Sequence, residues 1–82
     1  MNDLVLLTET LVKSLVKDPD TVSVKEFETD EDCILIQVMV DKDSMGAVIG
    51  KDGNIANAVR TIVQAASYLK DNKKIRINID SF

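Results

Sequence analysis

Histidine and tryptophan are absent from this chain of 82 residues, and cysteine occurs once, at Cys33. Without histidine, the Ser-His-Asp and Cys-His catalytic arrangements are excluded, as are the usual zinc sites. A single cysteine cannot form a disulfide within the chain, which fits a reducing compartment. Because Cys33 lies in an apolar segment, a buried structural thiol is favoured over a nucleophile. These absences argue against an enzyme and against a metal or other cofactor.

Long hydrophobic runs are also missing, since no stretch approaches about 18 consecutive apolar residues. No membrane-spanning helix is therefore predicted, and Asn2 and Asp3 are unlike the start of a signal peptide. We expect a small cytoplasmic protein. Apolar residues make up 45% of the chain, which is enough to predict one folded domain over residues 1–82.

The net charge of −4 argues mildly against strong non-specific binding to a polyanion. This charge is unevenly distributed. Residues 1–43 hold 11 acidic and 4 basic residues, a net of −7, whereas residues 44–82 hold 3 acidic and 6 basic residues, a net of +3. A binding site for an anion is therefore expected in the second half.

The first half of the sequence predicts a helix and two strands. Apolar residues in 3–17 recur at spacings of three and four, which is typical of an amphipathic helix. Residues 21–28 predict a strand with a bulge near Lys25, because Phe27 falls out of phase with the earlier apolar residues. The polar, acidic segment 29–32 favours a solvated hairpin turn over a cation site.

The next segments alternate between strand and helix patterns. Residues 33–40 are apolar on both faces except at one glutamine, which is typical of a central strand. A short helix is expected over 44–49, capped by Asp41 or Asp43. After two glycines, residues 54–69 carry a long apolar helical stripe.

A final strand completes the pattern. Asp71 and Asn72 are expected to end the long helix, and Ile75, Ile77 and Ile79 then alternate with polar residues as in a half-buried strand. The order is α-β-β-α-α-β. The first two strands form an antiparallel hairpin, and the crossover makes the third parallel to the second. We predict a two-layer α+β domain with a three-stranded mixed sheet and all helices on one face.

The turn between the last two helices is the candidate site. Gly50 and Gly53 enclose Lys51 and Asp52, and glycine permits positive φ and close approach of a ligand to the backbone. Neighbouring helix N-termini supply unpaired N–H groups and a positive dipole end. This combination favours contact with a phosphate.

Other glycine motifs do not fit this segment. Between Gly46 and Gly50 there are three residues where a P-loop needs four, and no Ser or Thr follows Lys51. The Gly-x-Gly of a dinucleotide fingerprint is absent. A membrane helix-packing motif would need an apolar segment of about 20 residues, which the chain lacks.

Residues 48–53 resemble the Gly-x-x-Gly signature of KH domains, and the element order over 33–80 resembles the minimal KH unit. The helix and strand over 3–28 precede that unit, as in type II KH domains. Residues 46–53 and 58–63 resemble motif blocks of the KhpA family of small bacterial RNA-binding proteins. The resemblance implies a loop that clamps about four single-stranded nucleotides, and a role in post-transcriptional regulation, for instance as an RNA chaperone.

The expected RNA-binding residues lie in the turn, beside it, and at the far end of the long helix. They are Gly46, Val48, Ile49, Gly50, Lys51, Asp52, Gly53, Asn54, Arg60, Lys73 and Lys74. Lys51 would contact phosphate. Val48 and Ile49 are either an apolar groove floor or plain core, and Arg60 and the lysines, with Lys70, are either RNA contacts or solvated surface. No aromatic residue lies near the turn, so strong base stacking is not expected.

Two features favour weak binding that gains from association. Asp52 places a carboxylate inside the clamp, opposing a nearby phosphate by a screened term of roughly 1 kcal/mol. The resemblance implies a homodimer or a larger KH-containing partner of the KhpB (Jag) type. Ile62, on the wide apolar arc of the long helix, either faces such a partner or is buried against the first helix. The alternative function is a protein-interaction module in which RNA binding is weak or lost.

Overall fold

The computed structural model describes residues 3–30, 33–70 and 72–82. Three helices and three strands follow one another in the predicted order. They are α1 (Asp3–Lys13), β1 (Ser23–Asp30), β2 (Cys33–Val40), α2 (Met45–Ile49), α3 (Asn54–Lys70) and β3 (Lys74–Ser81), with short 3-10 turns at Pro19–Thr21, Lys42–Ser44 and Lys51–Gly53. The element types are therefore as predicted.

The three strands form one mixed sheet in the order β1-β2-β3, with β2 in the centre. β1 pairs with β2 in the antiparallel sense, and β3 pairs with β2 in parallel. Both predicted pairings are confirmed. Burial along β2 alternates residue by residue, so one face of the sheet packs on the helices and the other is only half covered.

The core lies between the sheet and the helices. Its buried members come from every helix and from two of the strands. They are Leu4 and Val12 of α1, Ile34, Ile36, Val38 and Val40 of β2, Val48 of α2, Val59 and Val63 of α3, and Ile75 and Ile77 of β3. Because apolar side chains of all three helices meet one sheet face, the fold has two layers.

The first helix is shorter than predicted. The pattern favoured a helix over 3–17, but α1 ends at Lys13. Leu15 N–H bonds to the carbonyl of Val12 at 3.0 Å. This bond joins residues three apart, as in a 3-10 helix, so the chain leaves α-helical geometry here. Leu15 still packs against the core, and this explains why the apolar pattern continues beyond the helix.

Two further details of the sequence prediction are corrected. The bulge expected near Lys25 is wrong, since pairing with β2 is regular there and shifts between Glu28 and Asp30. Phe27 is out of phase because it points to the outer sheet face. Asp41 precedes the 3-10 turn Lys42–Ser44, and its side chain accepts no capping hydrogen bond. The N-cap of α2 is Ser44, so neither Asp41 nor Asp43 caps this helix.

Two predicted segments extend beyond the described residues. The acidic turn over 29–32 includes residues 31 and 32, which lie outside them, and residues 29–30 belong to β1. Asp71, one of the two residues expected to end α3, also lies outside. Asn72 does act at that end, because its N–H bonds to the Ser67 carbonyl at 2.8 Å and its φ is 54°, a value that asparagine tolerates.

An ion pair joins the two long helices at one end of the molecule. Lys70, at the end of α3, donates a hydrogen bond to the carboxylate of Asp3 at the start of α1. This bond and the lysine charge hold the pKa of Asp3 below its usual value of 3.8. The pair lies where the start of α1 meets the end of α3, and because both side chains are exposed it adds little to stability. In the described parts of the chain, no helix combines the length and apolar character needed to cross a bilayer.

Candidate nucleic-acid interface

The turn between α2 and α3 adopts a conformation that depends on glycine. Gly50 and Gly53 both have φ of 76°, a region that residues with a Cβ rarely occupy. Gly53 N–H bonds to the Gly50 carbonyl at 3.3 Å. The N–H groups of Lys51 and Asp52 come before this bond in the turn. Like the first N–H groups of any helix, they have no backbone carbonyl within the turn as an acceptor.

Gly50 is required for a second reason, which is close packing on α3. A Cβ built at this position would lie 2.6 Å from Cγ1 of Ile55 and 2.9 Å from its Cβ. Alanine at position 50 would therefore clash as well as strain the backbone. At Gly53 the nearest atom would be Nδ2 of Asn57 at 3.9 Å, so only φ restricts this second glycine.

Asp52 also has a conformational role, which its sequence position alone does not indicate. Its φ of 56° and ψ of 22° place it in the left-handed region, where aspartate and asparagine are tolerated better than most residues. Both Lys51 and Asp52 are exposed. Lys51 forms no ion pair with a described carboxylate, so its charge is available to a ligand.

The two apolar residues before the turn occupy different environments. Val48 is 0% exposed and belongs to the core. The assignment of Val48 to the surface of a groove is therefore corrected, because a side chain without exposed surface cannot contact a base. Ile49 is half-buried and can still offer part of its surface beside the turn.

Arg60 connects the polar side of α3 to the edge of the sheet. Its Nε donates to the carbonyl oxygen of Ile77 at 3.3 Å, and its Nη1 donates to Oδ1 of Asn57 at 3.2 Å. The guanidinium is thus held beside the free edge of β3, about two helical turns from Gly53. Arg60 remains exposed, so it retains donors for a ligand.

Gln64 occupies the same edge one turn further along. Its amide Nε2 donates to the carbonyl of Lys73 at 3.0 Å, and its Oε1 accepts from the N–H of Ile75 at 2.9 Å. Because backbone direction alternates along a strand, the polar groups of Ile77 and Ile79 also point away from β2. β3 therefore presents backbone donors and acceptors toward the side where the turn lies.

A groove of about 460 Å³ follows the seam between α3 and β3. It is lined by Arg60, Thr61, Gln64, Ala65, Tyr68 and Ile75. Gln64 and Tyr68 were not among the predicted site residues. The spacing of residues 60, 64 and 68 places them on the same helix face as Arg60, which is the one signal in the sequence that could have pointed to them. Tyr68 also brings an aromatic ring to the groove, although not to the turn.

The remaining predicted residues lie at both ends of this seam. Gly46 and Asn54 are exposed on either side of the turn, and a Cβ at Gly46 would meet nothing within 4 Å. Lys73 and Lys74 lie beside the last turns of α3, where the Lys73 carbonyl accepts hydrogen bonds from Gln64 and Ser67, about 20 Å from the turn along the helix axis. The structure thus groups residues 46–54 together, places Arg60 between the ends, and separates Lys73 and Lys74 from the turn.

A second surface feature is an apolar ridge on the outer side of α3. Four residues at helical spacing share this side and are all exposed, namely Ala58, Ile62, Ala65 and Leu69. Ile62 is 46% exposed and Leu69 is 90% exposed. α1 therefore does not bury Ile62, and this apolar ridge has no cover within the described chain.

Comparison with known proteins identifies the family and the fold of this chain. The family model described as KhpA/KhpB, KH domain matches residues 6–79. The chain belongs to the KhpA/KhpB KH-domain family. Its α-β-β-α-α-β order with a mixed sheet is the type II KH fold, and α2, the Gly50–Gly53 turn and α3 supply the helix-turn-helix of that fold.

Relatives of this family match over nearly their full length. A protein named RNA-binding protein KhpA from Clostridium acetobutylicum is 47% identical over 73 residues, covering 89% of this chain and 95% of the relative. A protein of the same name from Listeria monocytogenes is 43% identical over 79 residues, covering 96% and 97%. The relatives are named as RNA-binding proteins and not as enzymes.

Solved structures show the same fold within a larger protein. Aquifex aeolicus Era bound to GDP and AlF4⁻ superposes with a TM-score of 0.73 at 15% identity, covering 96% of this chain and 30% of Era. Era in complex with MgGDPNP and nucleotides 1506–1542 of 16S ribosomal RNA gives a TM-score of 0.68 at 15% identity. The chain spans less than a third of these Era chains, and the likeness shows the fold alone.

Proposed function

We propose that this protein binds short single-stranded RNA in the groove that runs from the Gly50–Gly53 turn along the seam between α3 and β3. The observation that carries the proposal is the geometry of the turn. Two glycines with φ of 76° open the backbone to close approach, and Lys51 is exposed between them. Such a Gly-x-x-Gly turn in a KH domain clamps the sugar-phosphate backbone of about four nucleotides.

The parts of the groove would act on different parts of the RNA. The N–H groups and charge of Lys51 hold phosphate, which positions the strand without reading its sequence. Ile49 offers apolar surface to a base near the turn. Base edges would pass beside Arg60 and beside the backbone groups of Ile77 and Ile79 that point away from β2. Hydrogen bonds to these groups would supply any preference for particular bases.

Binding by one domain is expected to be weak and sensitive to salt. The chain carries a net charge of −4, and Asp52 lies in the turn itself. Each phosphate contact by lysine or arginine contributes a slope of about −0.7 to the dependence of log K on log salt concentration. A contact set limited to Lys51 and Arg60 predicts a slope near −1.4.

Fluorescence anisotropy with a labelled single-stranded RNA of about 12 nucleotides tests this function. We expect saturable binding that weakens as salt rises, and much weaker binding to a blunt duplex of the same sequence, because its bases are stacked and paired. Equal affinity for strand and duplex, or no binding at low salt, would contradict the proposal.

Asp52→Asn is expected to tighten RNA binding about fivefold. The substitution removes a charge that opposes phosphate by roughly 1 kcal/mol, while asparagine keeps the left-handed backbone conformation. Thermal unfolding should be unchanged. Asp20→Asn, which removes the same charge from an exposed residue of the 3-10 turn Pro19–Thr21, is the control. An equal gain in both variants would assign the effect to total charge rather than to the turn.

The apolar ridge of Ala58, Ile62, Ala65 and Leu69 supports a homodimer, or pairing with a KhpB (Jag) type KH protein. Of the six large apolar residues that are exposed in the described chain, three lie on α3 and one on α1. Two joined domains present two grooves to one RNA and gain affinity through effective concentration. Light scattering over a dilution series tests the homodimer, with twice the chain mass of 9.1 kDa expected.

The ridge also supports the alternative function, a protein-interaction module with weak RNA binding. The two functions differ in the anisotropy experiment. A dimer that binds no single strand at low salt would favour the alternative, and RNA affinity that falls with salt would favour the clamp. Together, RNA binding and dimerisation would suit an adaptor in post-transcriptional regulation within the cytoplasm.

A further inference from the structure

The sheet face opposite the helices carries a row of three side chains that crosses all three strands. Phe27 of β1 lies opposite Leu35 of β2, and Leu35 lies opposite Arg76 of β3. With strands about 4.8 Å apart, this row extends about 10 Å across the sheet. Phe27 is 49% exposed, and Arg76 is exposed. We call this surface the outer face.

The neighbouring row of the outer face is polar. Lys25 lies opposite Gln37, and Gln37 lies opposite Asn78. Lysine provides a cation, and the two amides provide both donors and acceptors. A row with stacking and apolar groups thus lies beside a row with charged and hydrogen-bonding groups.

The described side chains of the outer face have the opposite net charge from the chain as a whole. Its described side chains include three cations, Lys25, Lys74 and Arg76, and one carboxylate, Asp80. The net of +2 contrasts with −4 for the whole chain. A local positive field of this kind favours an anionic ligand even on an acidic protein.

Phe27 and Arg76 bring two planar groups to this positive surface. An aromatic ring on a sheet face stacks on nucleobases, and a guanidinium plane does the same. Both planes border Leu35, which is half-buried and gives the row an apolar centre. The face therefore combines the stacking and cationic groups that single-stranded nucleic acid requires.

β3 links the outer face to the groove. Ile77 accepts the Arg60 hydrogen bond on the groove side, and the preceding residue, Arg76, points to the outer face. An RNA strand that leaves the groove across β3 would meet Arg76 first and Phe27 two strands further on. A continuous path for one strand therefore exists from turn to outer face.

We propose that the outer face is a second contact surface for single-stranded RNA, centred on Phe27, Leu35 and Arg76. The proposal rests on the RNA-binding function proposed for the groove and extends it to strands longer than the groove holds. Positive charge and flanking amides favour RNA over a protein partner, for which a continuous apolar patch would be expected.

Phe27→Trp reports directly on this surface. The chain contains no tryptophan, so the emission of this variant comes from one position. We expect an RNA of about 12 nucleotides to quench the emission, and a tetranucleotide, which fills only the groove, to leave it unchanged. Absence of quenching when anisotropy shows that the longer RNA is saturated would overturn the proposal.

Affinity measurements on Phe27→Leu and Arg76→Glu provide an independent test. We expect each to weaken binding of the longer RNA about fivefold or more and to leave tetranucleotide binding unchanged. Arg76→Glu should also reduce the salt slope for the longer RNA by about 0.7. Lys17→Glu makes the same charge change at an exposed position outside the sheet and is the control.

The two proposals fail in different ways. If wild type binds the tetranucleotide and the longer RNA with equal affinity, and Arg76→Glu matches Lys17→Glu, the outer face is excluded while the groove remains. If wild type binds neither RNA, the groove function fails and the outer-face proposal fails with it. Loss of tetranucleotide binding in Phe27→Leu, with circular dichroism unchanged, would also count against a separate second surface.

Discussion

Lys51→Asp is expected to weaken binding of single-stranded RNA at least about 30-fold and to leave the fold unchanged. The substitution removes one favourable charge at the phosphate position and adds one unfavourable charge, each worth roughly 1 kcal/mol when screened. Lys51 is exposed and forms no ion pair with a described residue. Anisotropy at low salt, together with circular dichroism, measures both parts of the prediction.

Lys17→Asp is the matched control, because it makes the same charge change at an exposed lysine after α1. Its loss of RNA affinity should be little more than the small effect expected from the change in total charge. Similar losses of RNA affinity in Lys51→Asp and Lys17→Asp would show that the turn does not contact the RNA. Gly50→Ala is a poorer test, since its Cβ would lie 2.6 Å from Ile55 and would disturb the fold.

Ile62→Asp is expected to convert the proposed dimer into a folded monomer. Ile62 lies at the centre of the ridge formed with Ala58, Ala65 and Leu69 and is 46% exposed in the single chain. A carboxylate there costs little in the monomer but places two unpaired charges in a dimer interface, a penalty of several kcal/mol. Light scattering should give half the mass of wild type, with unchanged helix content.

Asn78→Asp adds the same charge on the opposite layer of the molecule and should leave the dimer intact. Unfolding of Ile62→Asp would instead mean that this side chain supports the monomer. In that case Ile62→Ala separates the role of this side chain in the monomer from its role in the dimer, because it removes apolar contact without burying a charge. A dimer that persists in both Ile62 variants would place the interface elsewhere.

Most of the fold could be predicted because its elements have distinct apolar periods. The strand at Cys33–Val40 and the long helix at Asn54–Lys70 agree with the pattern almost to the residue. Helix α1 was overestimated, since Leu15 faces the core after the helix has ended, and apolar spacing alone cannot separate the two cases. A bulge was predicted near Lys25 because Phe27 is out of phase with the buried residues. Its side chain instead lies on the outer face of the sheet, which is only half covered and can hold an aromatic residue.

The candidate site could be predicted in part. The turn follows directly from Gly50 and Gly53, whose positive φ only glycine readily adopts. Val48 could not be separated from Ile49 by sequence, since both are apolar and only packing decides which one is buried. Gln64 was missed because its role depends on the edge of β3, which lies nearby only after the chain has folded.

The Gln64 amide also covers part of the free edge of β3. A free strand edge is a template for uncontrolled pairing with other chains. Gln64 bonds to the backbone of Lys73 and Ile75 at the start of β3, as a neighbouring strand would. Arg60 donates to the carbonyl of Ile77 in the same way. Sheet extension from copy to copy would have to break these bonds first, so the two side chains oppose fibril-like growth along the Lys73–Ile77 part of the edge even before any ligand arrives.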